Sequence, residues 1–153
     1  MDNLDRAILR NLQADGRLPN AAVAERVGLS PSPCLRRLKR LEQDGTIRGY
    51  RAILDRRKIG LGLTAFVEIK VSGQSRRRAE ELEKAVANVD EIIACYIVAG
   101  DADFMLEVAV PDLAAYEHLL LHTLLELPGV FDVRSNFAIR TVKEAGPLPL
   151  AKN

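Results

Sequence analysis

Four basic side chains stand within five consecutive positions of the sequence, at Arg36, Arg37, Lys39 and Arg40. No acidic residue interrupts the group before Glu42. Guanidinium and ammonium groups donate charge-assisted hydrogen bonds to phosphate oxygens, so the cluster is suited to holding a polyanion such as a nucleic acid. Lysine and arginine also keep ordinary helix surfaces soluble, and the spacing by itself leaves both interpretations open.

The other residues with reactive side chains do not form a recognisable catalytic or metal-binding pattern. His118 and His122 stand four positions apart, but no acid completes an H-E-x-x-H pattern, and a helix-surface or interface role is favoured. Cys34 and Cys95 are isolated and are predicted to fill core. The chain has no glycine-rich phosphate loop, nucleophile elbow or carboxylate pair typical of a hydrolase. We therefore predict no catalytic residue, no metal site and no cofactor, in a protein that is not an enzyme.

Charge is unevenly distributed along the chain. The net charge is only +1, yet residues 1–60 hold 13 Lys and Arg against 7 Asp and Glu, whereas residues 61–153 hold 9 against 14. A basic half joined to an acidic half indicates a polyanion-binding module attached to one with a different task. No apolar run reaches the roughly 18 residues of a membrane span and no signal peptide is recognisable, so we expect a cytoplasmic protein.

Two predicted helices precede the basic cluster. The first has its N-cap at Asp2 or Asn3 and ends at Gly16. A second, shorter helix is predicted from about Asn20 to Val27, and Gly28 supplies the turn that two crossing helices need. The apolar residues of the first helix recur at helical spacing. They are Leu4, Ile8, Leu9 and Leu12.

The basic cluster itself lies on a third predicted helix. Ser32 is the expected N-cap and Pro33 the first helical residue, because proline loses no hydrogen bond at that position. At about 100° per residue, the apolar side chains of this helix form one inward stripe and the cations face away from it. The stripe consists of Cys34, Leu35, Leu38 and Leu41.

These elements favour a DNA-binding interpretation of the cluster. A short helix that ends at a glycine turn, followed by a helix with a cationic ridge, is typical of a helix-turn-helix that enters the major groove of double-stranded DNA. The segment DGTIRGYRAIL, residues 44–54, is predicted to form a β-hairpin, the wing of a winged helix-turn-helix. The predicted DNA-binding residues are Ser30, Ser32, Arg36, Arg37, Lys39 and Arg40.

The second half of the chain alternates strands and helices. After a first strand, residues 76–89 predict an amphipathic helix, and two further strands are joined by a turn at Gly100 and Asp101. A long helix from about residue 112 to 127 and a last strand from about residue 130 to 142 complete the order βαββαβ. That order is typical of the ferredoxin-like arrangement.

The chain is therefore predicted to be an α+β protein with two domains. Residues 1–50 form the winged helix-turn-helix DNA-binding domain, and residues 51–62 form a linker. Residues 63–153 form the ferredoxin-like domain with a C-terminal tail. The inward face of its first strand is predicted to consist of Ala65, Val67, Ile69 and Val71.

Two surfaces of the second domain carry more apolar side chains than one chain needs. The strand IIACYIVA, residues 92–99, is apolar on both faces, although one face of a four-stranded sheet lies open to solvent. On the long helix, Leu121 and Leu125 face away from the predicted inward stripe of Leu113, Tyr116, Leu120 and Leu127. Unpartnered apolar surfaces mark protein interfaces, so we predict a homodimer formed through the sheet and a second contact beyond it.

Four segments together resemble the Lrp/AsnC family of leucine-responsive, or feast/famine, regulators. They are LDRAILRNLQADGR, AERVGLSPSPCLRRLKRLEQDGTIRGY, VAGDADFML and LLELPGV, and they occur in family order and spacing over nearly the whole chain. The resemblance implies a DNA-binding transcriptional regulator. Its C-terminal domain, called the regulation of amino-acid metabolism (RAM) domain, would bind a small effector, usually an amino acid, between subunits. Dimers would assemble further, often as a tetramer of dimers.

The same resemblance implies an effector site around one turn. Gly100, Asp101, Ala102 and Asp103 match the turn, and the neighbouring family positions are matched by Ile97, Leu113, Leu125 and Phe137. A glycine exposes backbone amides, a carboxylate pairs with an α-ammonium group, and apolar side chains contact the rest of an amino acid. Many family members have a smaller residue where Phe137 stands, so pocket volume and effector identity do not follow from the resemblance.

Two other functions remain open from the sequence. Ferredoxin-like domains also occur in allosteric amino-acid-binding subunits of enzymes, because fold does not fix function. A chain that binds DNA without an effector would be an architectural protein. The basic helix-turn-helix argues against the first alternative, and specific stabilisation by an amino acid would argue against the second.

Overall fold

The computed structural model describes residues 1–72, 76–144 and 146–150, and the chain forms two compact units. The first unit combines Met1–Ile53 with the segment from Val142 to Leu150, and the second is Leu54–Thr141. The last three residues of the predicted second domain lie outside the described residues. No helix in the described ranges is both long and apolar enough to cross a bilayer.

Three helices build the first unit: α1 (Asn3–Ala14), α2 (Asn20–Arg26) and α3 (Pro31–Gln43). Helix α1 begins with a reciprocal capping box, in which the Asp2 side chain accepts from the Asp5 amide and the Asp5 side chain accepts from the Asp2 amide, both at 2.9 Å. Each carboxylate thereby satisfies a backbone N–H that the first turn of a helix leaves unpaired.

Helix α3 begins two residues earlier than the sequence predicted. Its N-cap is Ser30 and Pro31 is the first helical residue, so the prediction of Ser32 as N-cap was wrong. Pro31 needs no N–H partner at that position, and its carbonyl accepts a hydrogen bond from the Asn20 side-chain amide at 2.9 Å. The turn before α3 contains Gly28 at φ 71°, a conformation that glycine adopts without steric cost.

The core of the first unit lies where its helices meet. Its buried residues are Ile8, Leu9, Val23, Ala24, Cys34 and Leu41. Leu35, which the stripe prediction assigned to this core, is instead 40% exposed. The core is centred on the side of α3 that carries Cys34 and Leu41, and Leu35 lies beyond the edge of that side.

The predicted wing does not form as a hairpin. Residues 44–54 are all described and contain no strand. The chain does turn at Gly45, where φ is 77°, and the Ile47 amide donates to the Leu41 carbonyl at 2.8 Å. The segment that follows runs without the backbone ladder that a hairpin requires.

The segment from residue 142 to 150 returns to the first unit, whereas the sequence assigned it to the second domain. The Gln13 side chain accepts from the Leu148 amide at 2.6 Å and donates to the Leu148 carbonyl at 3.2 Å. Leu150 packs against the helical core. The predicted boundary followed from the ferredoxin-like pattern, which contains no signal for this tertiary contact.

The second unit has the predicted βαββαβ order. Its elements are β1 (Leu63–Val71), α4 (Arg76–Val86), β2 (Ile92–Ile97), β3 (Phe104–Val110), α5 (Leu113–Leu119), a π-helical segment (Leu120–Leu124) and β4 (Val130–Phe137). The strands form one antiparallel sheet in the order β2-β3-β1-β4. The ferredoxin-like prediction is confirmed.

The core of the second unit lies between the helices and one face of the sheet. Ala65, Val67 and Ile69 are fully buried, which confirms the predicted alternation along β1. Tyr116 is buried as predicted, but Leu113 is 62% exposed, so its inward assignment was wrong. Leu113 is the first residue of α5, directly after the N-cap Asp112, where the helix has not yet covered the sheet.

Candidate functional site

The outward face of α3 carries the first candidate site. At about 100° per residue, Ser32, Leu35, Arg36 and Lys39 fall on one contiguous exposed arc opposite the buried side of the helix. Ser30, the N-cap, is also exposed. In the described part of the chain, neither Arg36 nor Lys39 forms an ion pair. The arc therefore offers two uncommitted cations beside a hydroxyl and an apolar side chain.

The other two cations of the cluster are engaged with carboxylates. Arg37 donates through Nη1 to Asp2 Oδ2 at 2.6 Å and to Asp5 Oδ1 at 2.9 Å. Arg40 donates through Nη2 to Asp5 Oδ2 at 2.7 Å. We call these four residues the α1–α3 clasp. It joins the start of α1 to the middle of α3.

Burial and charge within the clasp are unequal. The Asp5 side chain is 1% exposed, whereas those of Arg37 and Arg40 are 26% and 54% exposed. The Asp5 amide, through its hydrogen bond, and then the Arg37 guanidinium hold the pKa of Asp2 at about 2. Asp2 and Asp5 in turn raise the pKa of Arg37. Asp2 and Arg37 are therefore both charged at neutral pH.

Sequence analysis found the cations of the clasp but missed its acids. The spacing of Asp2 and Asp5 gives a capping signal, which explains why both stand there. Their second use depends on residues more than thirty positions away in the sequence, and no local pattern records that contact. Leu35 was missed as an exposed residue of the outward arc because an apolar side chain at helical spacing is usually core.

The predicted effector turn is built at one end of the sheet. Gly100 has φ 146°, a conformation that favours glycine. Asp103 is exposed, its Oδ2 accepts from the Val71 amide at 2.8 Å, and its own amide donates to the Ile69 carbonyl at 3.0 Å. These bonds fix the turn to β1. Ile97, 68% exposed, ends the neighbouring strand β2.

We call this end of the sheet, which carries Val71, the turn end. Besides Ile97 and Asp103, it carries Gly100 and Asp101. Leu125 lies near the turn end as well. It directly follows the π-helical segment, and five residues later β4 begins at Val130, which pairs with Val71. Five of the seven predicted effector residues are therefore grouped at one end.

The remaining two predicted effector residues lie at the opposite, far end of the sheet. Leu113 follows β3, whose last residue Val110 pairs with Leu63 at the start of β1. Phe137 ends β4 and packs edge-to-face on Tyr116 with ring centroids 5.0 Å apart. Leu113 and Phe137 are 62% and 43% exposed. They present apolar surface without a covering element in the described residues.

The two groups are too far apart to enclose one amino acid within a chain. Ile97 and Phe137 lie on the outer strands β2 and β4, three strand spacings or about 14 Å apart. Through the strand pairing, Ile97 is level with Ile69 of β1 and Phe137 is level with Ala65. These two β1 residues lie about 13 Å apart along the strand. The structure thus joins the predicted turn residues but not the two ends.

The sheet face turned away from the helices is partly apolar. Phe66 and Tyr96 are 42% and 59% exposed there, and Met105 pairs with Tyr96 between them. An ion pair also crosses this unit, from Arg56 Nη2 to Glu107 Oε1 at 2.8 Å. On the opposite side of the unit, Leu121 and Leu125 of the helical layer are 49% and 46% exposed, as predicted.

The histidine pair forms a stacked contact. The rings of His118 and His122 lie 4.4 Å apart, and His122 Nδ1 is 3.0 Å from the His118 carbonyl. Across the described ranges, no group of three or more His, Cys, Asp and Glu side chains is placed to hold a metal ion. Cys34 is buried as predicted, but Cys95 is exposed, so the prediction that Cys95 fills core was wrong. Desolvation raises the pKa of both thiols.

Two family models match the chain. One, described as a winged helix-turn-helix DNA-binding domain, matches residues 1–48. The other, described as the Lrp/AsnC ligand binding domain, matches residues 64–148. The two matches correspond to the helical unit and to the four-stranded unit, with its following segment.

Characterised relatives and solved structures resemble the chain along its length. The leucine-responsive regulatory protein of Escherichia coli (strain K12) is 44% identical over 148 residues, which cover 97% of this chain and 90% of that protein. A transcriptional regulator of Neisseria meningitidis, solved as an L-Met complex, superposes with a TM-score of 0.92 at 39% identity, covering 97% of this chain and 96% of that one. An AsnC family regulator from Agrobacterium tumefaciens gives the same TM-score and identity, with 97% of each chain covered.

Proposed function

The chain belongs to the Lrp/AsnC family of DNA-binding transcriptional regulators, and we propose how its two units divide that function. The helical unit binds double-stranded DNA in a sequence-specific way. The four-stranded unit binds an amino acid and holds the assembly together. The protein acts by binding alone, without catalysis, in the cytoplasm, where DNA and free amino acids are both available.

The outward arc of α3 is the observation that carries the DNA-binding proposal. Ser30 and Ser32 stand at the helix start, where a recognition helix meets base edges in the major groove. Arg36 and Lys39 bind phosphates or guanine edges. Candidate contacts to the flanking phosphates also include Arg37 and Arg40.

Homodimerisation would give this unit the symmetry that a two-half-site operator needs. The partly apolar sheet face around Phe66 and Tyr96 is the proposed dimer surface, because a second copy would cover its exposed rings. Leu121 and Leu125, on the helical layer, support a further contact between dimers. Together the two surfaces suit a tetramer of dimers.

The effector site would be completed by two chains. The turn end supplies polar groups: backbone amides around Gly100 suit a carboxylate, and Asp101 and Asp103 suit an α-ammonium group. The far end supplies apolar surface at Leu113 and Phe137. Because Ile97 and Phe137 lie about 19 Å apart within a chain, the turn end of one copy would face the far end of another.

The DNA-binding proposal is tested by removing the two uncommitted cations. In fluorescence anisotropy with a mixed-sequence duplex, Arg36→Gln/Lys39→Gln should weaken binding about a hundredfold at moderate salt, since each subunit loses two phosphate contacts. Arg77→Gln/Lys84→Gln makes the same charge change on exposed positions of α4 and should have little effect. Equal losses in both variants would contradict the proposed interface.

The effector proposal is tested first by a thermal-shift screen of the twenty amino acids. L-Met and L-Leu head the screen, given the L-Met complex and the leucine-responsive relative. A specific ligand raises the melting temperature by mass action. If none does, a constitutive, DNA-architectural regulator is favoured instead.

A mixing experiment then tests the two-chain site. Asp103→Asn at the turn end and Leu113→Gln at the far end should each weaken ligand binding. Co-expressed subunits should recover about a quarter of the sites in calorimetry, because half of random pairs are mixed and each mixed pair keeps one intact site. If the site lay within one chain, every copy would carry a defect and the mixture would recover nothing.

A further inference from the structure

We propose that Asp5 is a positioning residue that determines which cations of α3 meet DNA. It holds Arg37 and Arg40 in the clasp against α1. Arg36 and Lys39 then carry the electrostatic contact with DNA. This inference rests on the proposed DNA-binding function and deepens it.

The contacts and burial of Asp5 keep its carboxylate paired with Arg37 and Arg40. Its Oδ1 accepts from Arg37, and its Oδ2 accepts from both Arg40 and the Asp2 amide. The side chain is 1% exposed and lies in the first turn of α1, so it cannot turn to solvent. An unpaired carboxylate in that position would be strongly destabilising, and the ion pairs therefore resist exchange for a phosphate.

Charge balance within the clasp gives the second argument. Two guanidinium groups face two carboxylates, those of Asp2 and Asp5, within 3 Å. A phosphate approaching Arg37 or Arg40 meets this neutral group, including two repelling carboxylates. Phosphate contacts there release fewer counterions than contacts to an unpaired cation.

Geometry gives the third argument. Arg36 and Lys39 lie with Ser32 near the centre of the outward arc, and no carboxylate in the described ranges pairs with either cation. The clasp also fixes the rotation of α3 about its axis relative to α1, because it joins both helices by charge-assisted bonds. Asp5 thereby selects the face of α3 that the groove contacts.

Four single substitutions test this division of the cations. Binding to a mixed-sequence duplex is measured by anisotropy over a series of salt concentrations, and the slope of log K against log salt is compared. Arg36→Gln and Lys39→Gln should each reduce the slope by roughly 1 per subunit. Arg37→Gln and Arg40→Gln should each reduce it by less than half as much. Equal reductions in all four variants would overturn the proposal.

Asp5→Asn tests the residue itself. Asparagine keeps an acceptor for the Asp2 amide but removes the charge that holds Arg40, while Arg37 keeps its ion pair with Asp2. The salt slope should steepen by roughly 1 per subunit as Arg40 becomes available. In the double variant Asp5→Asn/Arg40→Gln, most of that increase in the salt slope should disappear. If Asp5→Asn acted only by perturbing the structure, removing Arg40 would not reverse its effect. A folded Asp5→Asn protein with the wild-type slope would also overturn the proposal.

The outcomes distinguish the two levels of inference. If wild-type protein fails to bind the duplex even at low salt, the DNA-binding function itself is wrong. If wild-type protein binds but the clasp variants behave like the others, only the role of Asp5 is wrong. Circular dichroism establishes whether Asp5→Asn folds, and if it does not, the Arg37→Gln and Arg40→Gln slopes decide the question alone.

Discussion

The two units of this regulator present their candidate sites in opposite ways. In the helical unit, the outward arc lies on the stretch of α3 from Ser32 to Lys39, and the clasp that orients it lies in the same unit. In the four-stranded unit, the predicted effector residues are divided between two ends of a sheet. One candidate site is complete within a chain, and the other, as proposed, would be completed by a second copy.

This difference bears on how sensing and DNA binding are connected. A site shared by two chains is filled only where those chains meet, so the effector acts on the assembly of the protein as well as on its fold. The proposed DNA site of each subunit, by contrast, would be preformed on α3. An amino acid would therefore regulate which arrangement of preformed DNA sites is available, rather than build the sites themselves.

The largest expected effects come from substitutions in the two cores. These substitutions test whether each unit is stabilised independently of the other. Leu106→Ala in the second unit and Ile8→Ala in the first each truncate a fully buried side chain and should lower the free energy of unfolding by about 3 kcal/mol. Amide hydrogen exchange should show lost protection only in the unit that carries the substitution. Loss in both units from either variant would break the comparison.

A smaller effect is expected from the contact between Gln13 and Leu148. Gln13→Ala removes two hydrogen bonds and should destabilise the helical unit by about 1 kcal/mol while leaving the four-stranded unit unchanged. Exchange of the Leu148 amide should accelerate. Gln43→Ala, the same truncation at the exposed end of α3, serves as the control. An unchanged Leu148 amide would show that the segment is held by Leu150 alone.

The smallest effect depends on pH and isolates the charge of Asp2. Because its pKa in the folded protein is about 2, below its ordinary value of 3.8, the stabilisation it provides is full above about pH 4 and disappears as the pH falls toward 2. Asp2→Asn keeps a capping side chain but loses the charge. Its melting temperature should lie below that of the wild type at neutral pH and converge with it near pH 2. A constant difference would assign the effect to capping alone.

Local patterns predicted the elements better than their contacts. The alternation along β1 and the helical spacing of Ile8 and Leu9 gave the two folds, because burial selects side chains on one face of each element. The start of α3 was wrong by two residues, because two Ser-Pro pairs in succession provide equivalent signals. Leu113 was wrong because helical spacing does not show where a helix begins to cover the sheet.

The candidate sites also differ in how far the sequence could predict them. The outward arc could be predicted because it lies on one helix with regular geometry. The clasp could not, since Asp5 and Arg40 meet only after the helices pack. The resemblance supplied the predicted effector residues, but it did not indicate that Leu113 and Asp103 would lie at opposite ends of a sheet. That separation depends on strand order, which no single motif records.

The path of the chain also has a consequence for its synthesis. The helical unit is assembled from two stretches of sequence, with the whole of Leu54–Thr141 between them. On the ribosome, its three helices emerge first, yet the segment carrying Leu148 and Leu150 reaches them only after the four-stranded unit has been translated. The helical unit therefore cannot be completed until the whole four-stranded unit has been synthesised.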